Sequence, residues 1–269
     1  MLNRILIILV FLIWPTKLVE GHPNYAFILF DLDRTLLDFD ASEKHALDKI
    51  YLKYFQNIPK NKFIKLFHEV NSTCWKKFEE GKLTLSEVRE ERFKILLEHL
   101  KIQNLDSAEV ERVYELYLAE SADWMPDTRD HFIKISKLYN VAIITNGYQL
   151  VQGGRIKKSG ISDMTQYIFT SETIGHSKPH PLYFDYVFKE INISPQNSRI
   201  LVVGDSLSSD FQGALNINAD FCWVNPKSQT LPSQYPQPKY LVKNIKELYD
   251  LLTVNDEYQE IAYMSRQLG

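Results

Sequence analysis

Residues 25–38 read YAFILFDLDRTLLD, and the fold of this chain is organised around this segment. Its first six residues are apolar, which is typical of a short strand buried on both faces of a parallel sheet. The apolar run ends abruptly at Asp31, and a second carboxylate follows at Asp33. In open α/β sheets, ligands bind outside the carboxyl ends of the strands. The two aspartates therefore mark a candidate functional site.

The pattern becomes helical after this strand and stays so over residues 41–120. Apolar side chains recur there at the spacing of helix faces, and Thr84 with Glu87 forms a capping-box signature that begins one helix. Beyond Pro126 the chain instead alternates short apolar runs with amphipathic stretches. We predict strands at residues 141–145, 167–170, 199–203 and 221–224, and helices at residues 149–158, 181–191 and 208–216.

Alternating strands and helices indicate right-handed βαβ units around a parallel sheet. We therefore expect an α/β fold with a Rossmann-like parallel-sheet core, formed by residues 25–40 and 121–253. Because the helical block interrupts this core just after its first strand, residues 41–120 should form an inserted all-helical cap. Residues 1–24 are expected to be a hydrophobic segment outside the fold, and residues 254–269 a C-terminal tail.

The N-terminal segment carries an apolar run over residues 5–14 that follows Arg4 and ends at Pro15. Ten helical residues cover about 15 Å, half of a hydrocarbon core of about 30 Å, so we expect no integral membrane span. The length suits the hydrophobic region of a signal peptide, and Gly21 closes a tolerable cleavage site. A cytoplasmic location is our prediction, with export or membrane anchoring as the alternatives.

The composition excludes several classes of protein. Among 269 residues, 31 are basic and 34 acidic, and this near-neutral balance excludes bulk electrostatic attraction to a nucleic-acid polymer. A hydrophobic content of 45% is typical of globular chains and argues against disorder. Two cysteines exclude a disulfide scaffold, and the spacing of a cysteine zinc site is absent.

Polar residues also follow the later predicted strands. Thr145, Asn146 and Gly147 end the second, Lys178 precedes Pro179 in a loop, and Asp205 and Asp210 follow RILVV. Each feature alone is more often a turn, a helix cap or a solvated loop, but their conjunction at strand ends indicates one site. Three clustered carboxylates repel one another without a cation, and oxygen ligands suit Mg²⁺.

FDLDRTLLD, ITNG, SKPHPLYF and VVGDSLSSD resemble the four ordered motifs of the haloacid dehalogenase-like (HAD) hydrolase superfamily. The resemblance covers roughly residues 25–252, and the helical insert resembles that superfamily's cap. Within the insert, WKKFEEGKLT, together with ITNG and GDSLSSD, is similar to the branch of pyrimidine 5′-nucleotidases. The substrate implied is a small phosphorylated metabolite, a pyrimidine nucleoside 5′-monophosphate.

The resemblance implies phosphomonoester hydrolysis through an aspartyl-phosphate, with Asp31 as nucleophile and Asp33 as general acid and base. It also implies Mg²⁺ bound by Asp31, Asp205 and the backbone carbonyl of Asp33, with Asp210 holding a metal-bound water. The implied phosphate-binding groups are Thr145, Asn146, Gly147 and Lys178.

Other functions stay open at this stage. A sugar-phosphate phosphatase, a phosphoglycolate-type phosphatase and a phosphomutase share these motifs. A non-catalytic phosphate-binding protein on the same scaffold is the alternative from a different class, and the intact Asp31 and Asp33 argue against it.

Two positions depart from the family pattern. Arg34 stands where many members have Gly or Asp, and we expect its side chain to face solvent. Gly153 and Gly154 fall inside a predicted helix, where each costs about 1 kcal/mol relative to Ala, so we expect that helix to be frayed or irregular. Trp75 and Phe78 are expected in the core of the cap, with stacking on a substrate as the alternative.

Overall fold

The computed structural model describes residues 24–196 and 198–253. Its core is a six-stranded parallel sheet in the order β3-β2-β1-β4-β5-β6. The strands are β1 Phe27–Phe30, β2 Val141–Thr145, β3 Ile168–Thr170, β4 Ile200–Gly204, β5 Asp220–Val224 and β6 Tyr240–Val242. The predicted α/β parallel-sheet fold is confirmed, and the structure adds β6, which the sequence analysis missed.

Ten α-helices accompany the sheet in the described part of the chain. They are α1 Phe39–Tyr54, α2 Lys60–Glu79, α3 Leu85–Leu100, α4 Ser107–Ala119, α5 Arg129–Leu138, α6 Gln149–Ser159, α7 Ser171–Ile174, α8 Pro181–Glu190, α9 Gln212–Asn216 and α10 Ile245–Thr253. Among the described residues, none of the helices combines the length and the apolar character needed to cross a membrane. The predicted N-terminal segment as far as residue 23 and the tail from residue 254 lie outside the described residues, so the cytoplasmic location stays a prediction.

The central strand β1 is buried on both faces, as its unbroken apolar sequence predicts. Ile28 and Phe30 face a layer that includes Phe132 of α5, whereas Leu29 faces the opposite layer, which includes Phe184 of α8. Alternation along the strand thus fills the core on both sides of the sheet. The strand ends where Asp31 begins the polar edge of the sheet.

Helices α1 to α4 form the cap, which leaves the core after β1 and returns before α5. Its own core is aromatic, with Phe67 packed against Phe93 and Tyr114 at centroid distances of 5.6 and 5.3 Å. The predicted capping box of Thr84 and Glu87 is present at the start of α3. The cap is therefore a packed unit with its own hydrophobic core.

The two segments that join cap and core lie side by side. The amide of Asp38 donates to the carbonyl of Asp123 at 2.8 Å, and the amide of Met125 donates to the carbonyl of Leu36 at 2.9 Å. Any rotation of the cap relative to the sheet must therefore pass through residues 36–38 and 121–125 together.

Helix α6 is regular, although its two glycines led us to expect a frayed or irregular helix. It is continuous from Gln149 to Ser159, and a Cβ atom added at Gly154 would lie only 2.8 Å from the Cβ of Ala119 in α4. Gly154 therefore permits close contact between α6 and the cap, and packing compensates the weak helix propensity. The expected fraying was wrong for this reason.

Candidate active site

Lys178 lies near the carboxyl ends of the strands and connects three separate parts of the chain there. Its buried Nζ atom donates hydrogen bonds of 2.7 Å to Asp31 Oδ1 and to Asp210 Oδ1, and one of 2.8 Å to the carbonyl of Ile144. Burial lowers the pKa of Lys178, but the charges of Asp210 and Asp31 outweigh it, so the pKa is raised overall and the ammonium stays charged.

The carboxylates form a tight cluster around this lysine. Within the described residues, one oxygen from each of Asp31, Asp205 and Asp210 lies within 4.8 Å of the other two. Burial, together with the charge of Asp210, raises the pKa of Asp205 to about 7. Burial also raises the pKa of Asp31 well above its ordinary value, although Lys178 opposes that rise.

A cluster of this composition suits a divalent cation. Lys178 pairs with two of the three carboxylates, so an excess of negative charge is left in a largely buried cluster, where it is costly. All the donors are oxygen atoms, which is the ligand chemistry that Mg²⁺ prefers. The residues present therefore fit the predicted Mg²⁺ on charge and on donor type.

Asp210 is held in place by its surroundings as well as by Lys178. Its second oxygen accepts from the amide of Ser206 at 3.1 Å, and a side chain at Gly204 would collide with this carboxylate. The residue lies in a π-helical turn, Leu207–Phe211, which precedes α9. The helix predicted over residues 208–216 is present, and its first turn is the wider π-helical turn that carries Asp210.

Three of the predicted phosphate-binding residues lie at the end of β2, and their surroundings differ. Thr145 is the buried last residue of the strand. The side chain of Asn146 exchanges two hydrogen bonds of 2.9 Å with the backbone of Lys178, and the amide of Gly147 donates to Ser171 Oγ at 2.9 Å. Asn146 therefore fixes the loop that carries Lys178 through both ends of its side-chain amide.

Asp33 meets two side chains that the sequence analysis missed. Its Oδ1 forms an ion pair with Nη1 of Arg155, and its Oδ2 accepts from Gln152 Nε2 at 2.7 Å. The same Gln152 nitrogen donates to Thr145 Oγ1 at 2.7 Å. The available signal was the spacing of Gln152 and Arg155, which places both on one face of the helix that follows ITNG.

A cleft of about 770 Å³ lies above these groups, between core and cap. On the cap side it is lined by Trp75 and Phe78, whose rings meet edge to face at 5.6 Å. Both residues also pack against the apolar cluster around Val70 and Val88 of the cap. They thus belong to the cap core, as expected, and face the cleft as well.

A polar network forms another part of the cap wall. Glu43, His68, Asn71 and Arg92 line the cleft, and Asn71 donates to Glu43 at 3.1 Å while accepting from Arg92 at 3.0 Å. Arg92 is buried and paired with Glu111. The wall opposite the aspartates therefore combines aromatic surface with fixed hydrogen-bonding groups.

Arg34 is exposed, as expected, and its side chain also lines this cleft. Its guanidinium forms an ion pair of 2.8 Å with Asp40 and lies 4.9 Å above the ring of Phe39. The backbone of Arg34 has φ of 61°, in the left-handed region where glycine is favoured.

A family model described as Haloacid dehalogenase-like hydrolase matches residues 28–224, which is more than half of the chain. This chain belongs to the haloacid dehalogenase-like hydrolase family. The matched residues run from β1 to the end of β5 and include the cap and every predicted site residue.

Full-length relatives within the family support this assignment. The HAD-hydrolase YfnB of Bacillus subtilis is 35% identical over 238 residues, which cover 87% of this chain and 97% of YfnB. Pyrimidine 5′-nucleotidase PynA of Streptococcus pneumoniae is 32% identical over 232 residues, 86% of this chain and 96% of PynA. Pyrimidine 5′-nucleotidase YjjG of Escherichia coli is 28% identical over 229 residues, 85% of this chain and 98% of YjjG.

A solved structure also matches this HAD hydrolase. The crystal structure of YfnB bound to magnesium, reported to reveal interdomain movement, matches with a TM-score of 0.76 and 34% sequence identity. The match covers 86% of this chain and 100% of the YfnB chain. The sheet and the helical cap are therefore the architecture of the family.

Proposed function

We propose that this chain is a Mg²⁺-dependent phosphomonoester hydrolase that forms an aspartyl-phosphate on Asp31. The observation that carries the proposal is the placement of Asp31 against Lys178, with Asp33 two residues away at the same strand end. A carboxylate nucleophile divides one difficult hydrolysis into two easier displacements. A second carboxyl group nearby supplies the proton transfers that both displacements need.

Asp31 and Asp205, with the backbone carbonyl of Asp33, would hold Mg²⁺, and Asp210 would act through a bound water. When bound, the ion neutralises the carboxylates and polarises the phosphoryl group. The support for this metal set is the carboxylate cluster, whose oxygens lie within 4.8 Å of one another. Lys178, already bonded to two of the three carboxylates, would balance the charge of the transferring phosphoryl group.

The chemistry follows in two steps. An oxygen of Asp31 attacks phosphorus, the ester P–O bond breaks, and Asp33 donates its proton to the leaving alcohol oxygen. Asp33, now a carboxylate, accepts a proton from water as the water oxygen attacks phosphorus. The bond between phosphorus and Asp31 breaks, inorganic phosphate leaves, and Asp33 is again protonated.

We further propose that the substrates are pyrimidine nucleoside 5′-monophosphates. Two full-length relatives, PynA and YjjG, are pyrimidine 5′-nucleotidases. The cleft has the features that such a substrate needs, because Trp75 and Phe78 offer aromatic surface and Asn71 lies in a polar wall. Stacking a base on an aromatic side chain contributes roughly 1–3 kcal/mol.

The test is a phosphate-release screen of the full chain against nucleoside 5′-monophosphates, sugar phosphates and p-nitrophenyl phosphate. We expect release from pyrimidine nucleotides with Mg²⁺, little release in excess EDTA, and none from Asp31→Asn, which keeps the shape but removes the nucleophile. Activity on sugar phosphates alone would contradict the nucleotidase assignment. Phosphate release by Asp31→Asn at the wild-type rate would contradict the mechanism.

A further inference from the structure

Arg155 of α6 forms an ion pair with Asp33, although 122 positions separate the two residues in sequence. Its side chain is fully buried, whereas that of Asp33 keeps 20% of its surface exposed toward the cleft. A buried guanidinium needs a charged, hydrogen-bonded partner, and Asp33 supplies it through Nη1, while the buried Nη2 atom has no hydrogen-bond partner among the described residues. The pair therefore fixes one oxygen of the group to which the proposed mechanism assigns both proton transfers.

Gln152 holds the other oxygen of the same carboxylate. Its Nε2 donates to Asp33 Oδ2 and to Thr145 Oγ1, both at 2.7 Å, while its Oε1 accepts from Arg155 Nη1 at 3.1 Å. This arrangement uses every strong group of the amide and sets its orientation, because the reverse orientation would place Oε1 against the carboxylate. Arg155 and Gln152 thus hold Asp33 from two sides.

Arg155 also contacts the connection between cap and core. Its Nε donates to the carbonyl of Ser121 at 3.3 Å, and the hydroxyl of Ser42 in α1 donates to that same carbonyl at 3.1 Å. The guanidinium lies 5.5 Å from the ring of Phe39, the first residue of α1. One side chain therefore contacts Asp33, the segment at residues 121–125 and the first residue of the cap helix α1.

Helix α6 itself is packed against the cap. Gly154, which lies between Gln152 and Arg155 in sequence, is the residue that allows close approach to Ala119 of α4. A displacement of α4 would therefore move the backbone that carries both side chains. Helices pack closely and transmit such shifts, since interiors have few voids to absorb them.

We propose that Arg155 and Gln152 are positioning residues that hold the Asp33 carboxyl group for proton transfer and couple its position to that of the cap. This inference rests on the proposed phosphatase chemistry, in which Asp33 protonates the leaving alcohol. Loss of a residue that acts through Asp33 should lower the rate of ester cleavage most for substrates whose leaving group needs that proton. Alcohol leaving groups of nucleotides need it, whereas p-nitrophenolate leaves without it.

The test compares kcat/KM for a nucleoside 5′-monophosphate and for p-nitrophenyl phosphate in Arg155→Met. Because kcat/KM reports the steps up to ester cleavage, the nucleotide value should fall roughly 10- to 100-fold. The value for p-nitrophenyl phosphate should fall less than about threefold. Arg155→Lys keeps one donor and should restore part of the nucleotide value.

Gln152→Met is the second variant, because loss of the buried Arg155 could unfold the chain. It should shift the ratio of the two kcat/KM values in the same direction. Arg89→Met is the matched control, since Arg89 of the cap also reaches the core, by pairing with Glu172 of α7, without contacting Asp33. The ratio of the two kcat/KM values in Arg89→Met should equal that of the wild type.

Equal losses on both substrates in Arg155→Met and Gln152→Met would overturn the proposal, because a purely structural role lowers both values together. Unchanged nucleotide hydrolysis in both variants would also overturn it. Failure of the proposed nucleotidase function is a separate result, seen as wild-type protein that cleaves no nucleotide. A sugar phosphate that the wild type does cleave then replaces the nucleotide, because its leaving group is also an alcohol.

Discussion

The Nζ atom of Lys178 lies 2.7 Å from Oδ1 of Asp31, although 147 positions separate the two residues. The contact exists because loops that follow different strands of one parallel sheet meet at a single edge. It places a cation beside the proposed nucleophile and fixes that carboxylate by a charge-assisted hydrogen bond.

Replacement of Lys178 by Met should cost both activity and stability. The change leaves Asp31 and Asp210 buried without their ammonium partner, so in Mg²⁺-free buffer the free energy of unfolding should fall by roughly 3–5 kcal/mol. Turnover with Mg²⁺ should fall by roughly 100-fold or more, because the transferring phosphoryl group loses a charge partner. Urea unfolding and steady-state kinetics measure the two effects. Lys189→Met, at an exposed position of α8, is the control and should change neither.

The two neighbouring glycines of α6 should respond to alanine with opposite signs. At Gly154 a Cβ would meet Ala119 at 2.8 Å, and overpacking of this kind costs roughly 1–3 kcal/mol. At Gly153 the nearest atom is the side-chain nitrogen of Gln149 at 3.6 Å, so alanine should stabilise the helix by roughly 0.5–1 kcal/mol. Chemical unfolding of both variants measures the difference, and destabilisation of equal size at both positions would contradict the packing argument.

Stabilisation by Mg²⁺ should depend on pH through Asp205, whose pKa burial raises to about 7 in the folded protein. In the metal-free protein the folded state holds this proton more tightly than the unfolded chain, so stability contributed by this group falls as pH rises from about 4 to about 7. The ion binds the deprotonated carboxylate. Adding Mg²⁺ should therefore raise the melting temperature more at about pH 8 than at about pH 5.5.

Asp205→Asn tests that assignment, since it removes the titrating group without changing its size. The variant should lose most of the Mg²⁺-dependent stabilisation at the higher pH. An equal melting shift at both pH values in the wild type would show that Asp205 does not titrate in this range.

The aromatic wall of the cap should contribute to substrate choice. Trp75→Ala should raise KM for a pyrimidine nucleotide by roughly tenfold, because stacking on a base is worth roughly 1–3 kcal/mol. KM for p-nitrophenyl phosphate should change less, and initial rates on both substrates measure the contrast. Equal increases for both substrates would mean that Trp75 maintains the cap and does not contact the base.

The sequence predicted the site better than it predicted the neighbours of the site. Asp31 and Asp205 each follow an apolar run, so local sequence places them at strand ends without knowledge of packing, whereas Lys178 was singled out as a loop residue before a proline. The contact of Arg155 with Asp33 depends on how α6 lies against α4. No pattern within the helix specifies that packing.

Two further differences between the sequence-based predictions and the structure have similar origins. β6 is only three residues long, Tyr240–Val242, and follows a proline-rich loop, so it has too little periodicity to predict. The turn around Asp210 is π-helical because its carboxylate must reach both Lys178 and the amide of Ser206. Such long-range contacts override the helical preference of the segment, and they become visible only in the folded chain.

In the proposed mechanism Asp31 carries the phosphoryl group during turnover, and chemical trapping detects this covalent intermediate. In the Asp33→Asn variant, Asp31 should still attack p-nitrophenyl phosphate, whose leaving group needs no proton. Hydrolysis of the resulting aspartyl-phosphate should be slow, because the group that accepts a proton from water is missing. Borohydride reduction of the quenched reaction, followed by peptide mass spectrometry, should then find homoserine at position 31. Reduction at a different position, or an unmodified Asp31 after substrate has been consumed, would contradict the mechanism.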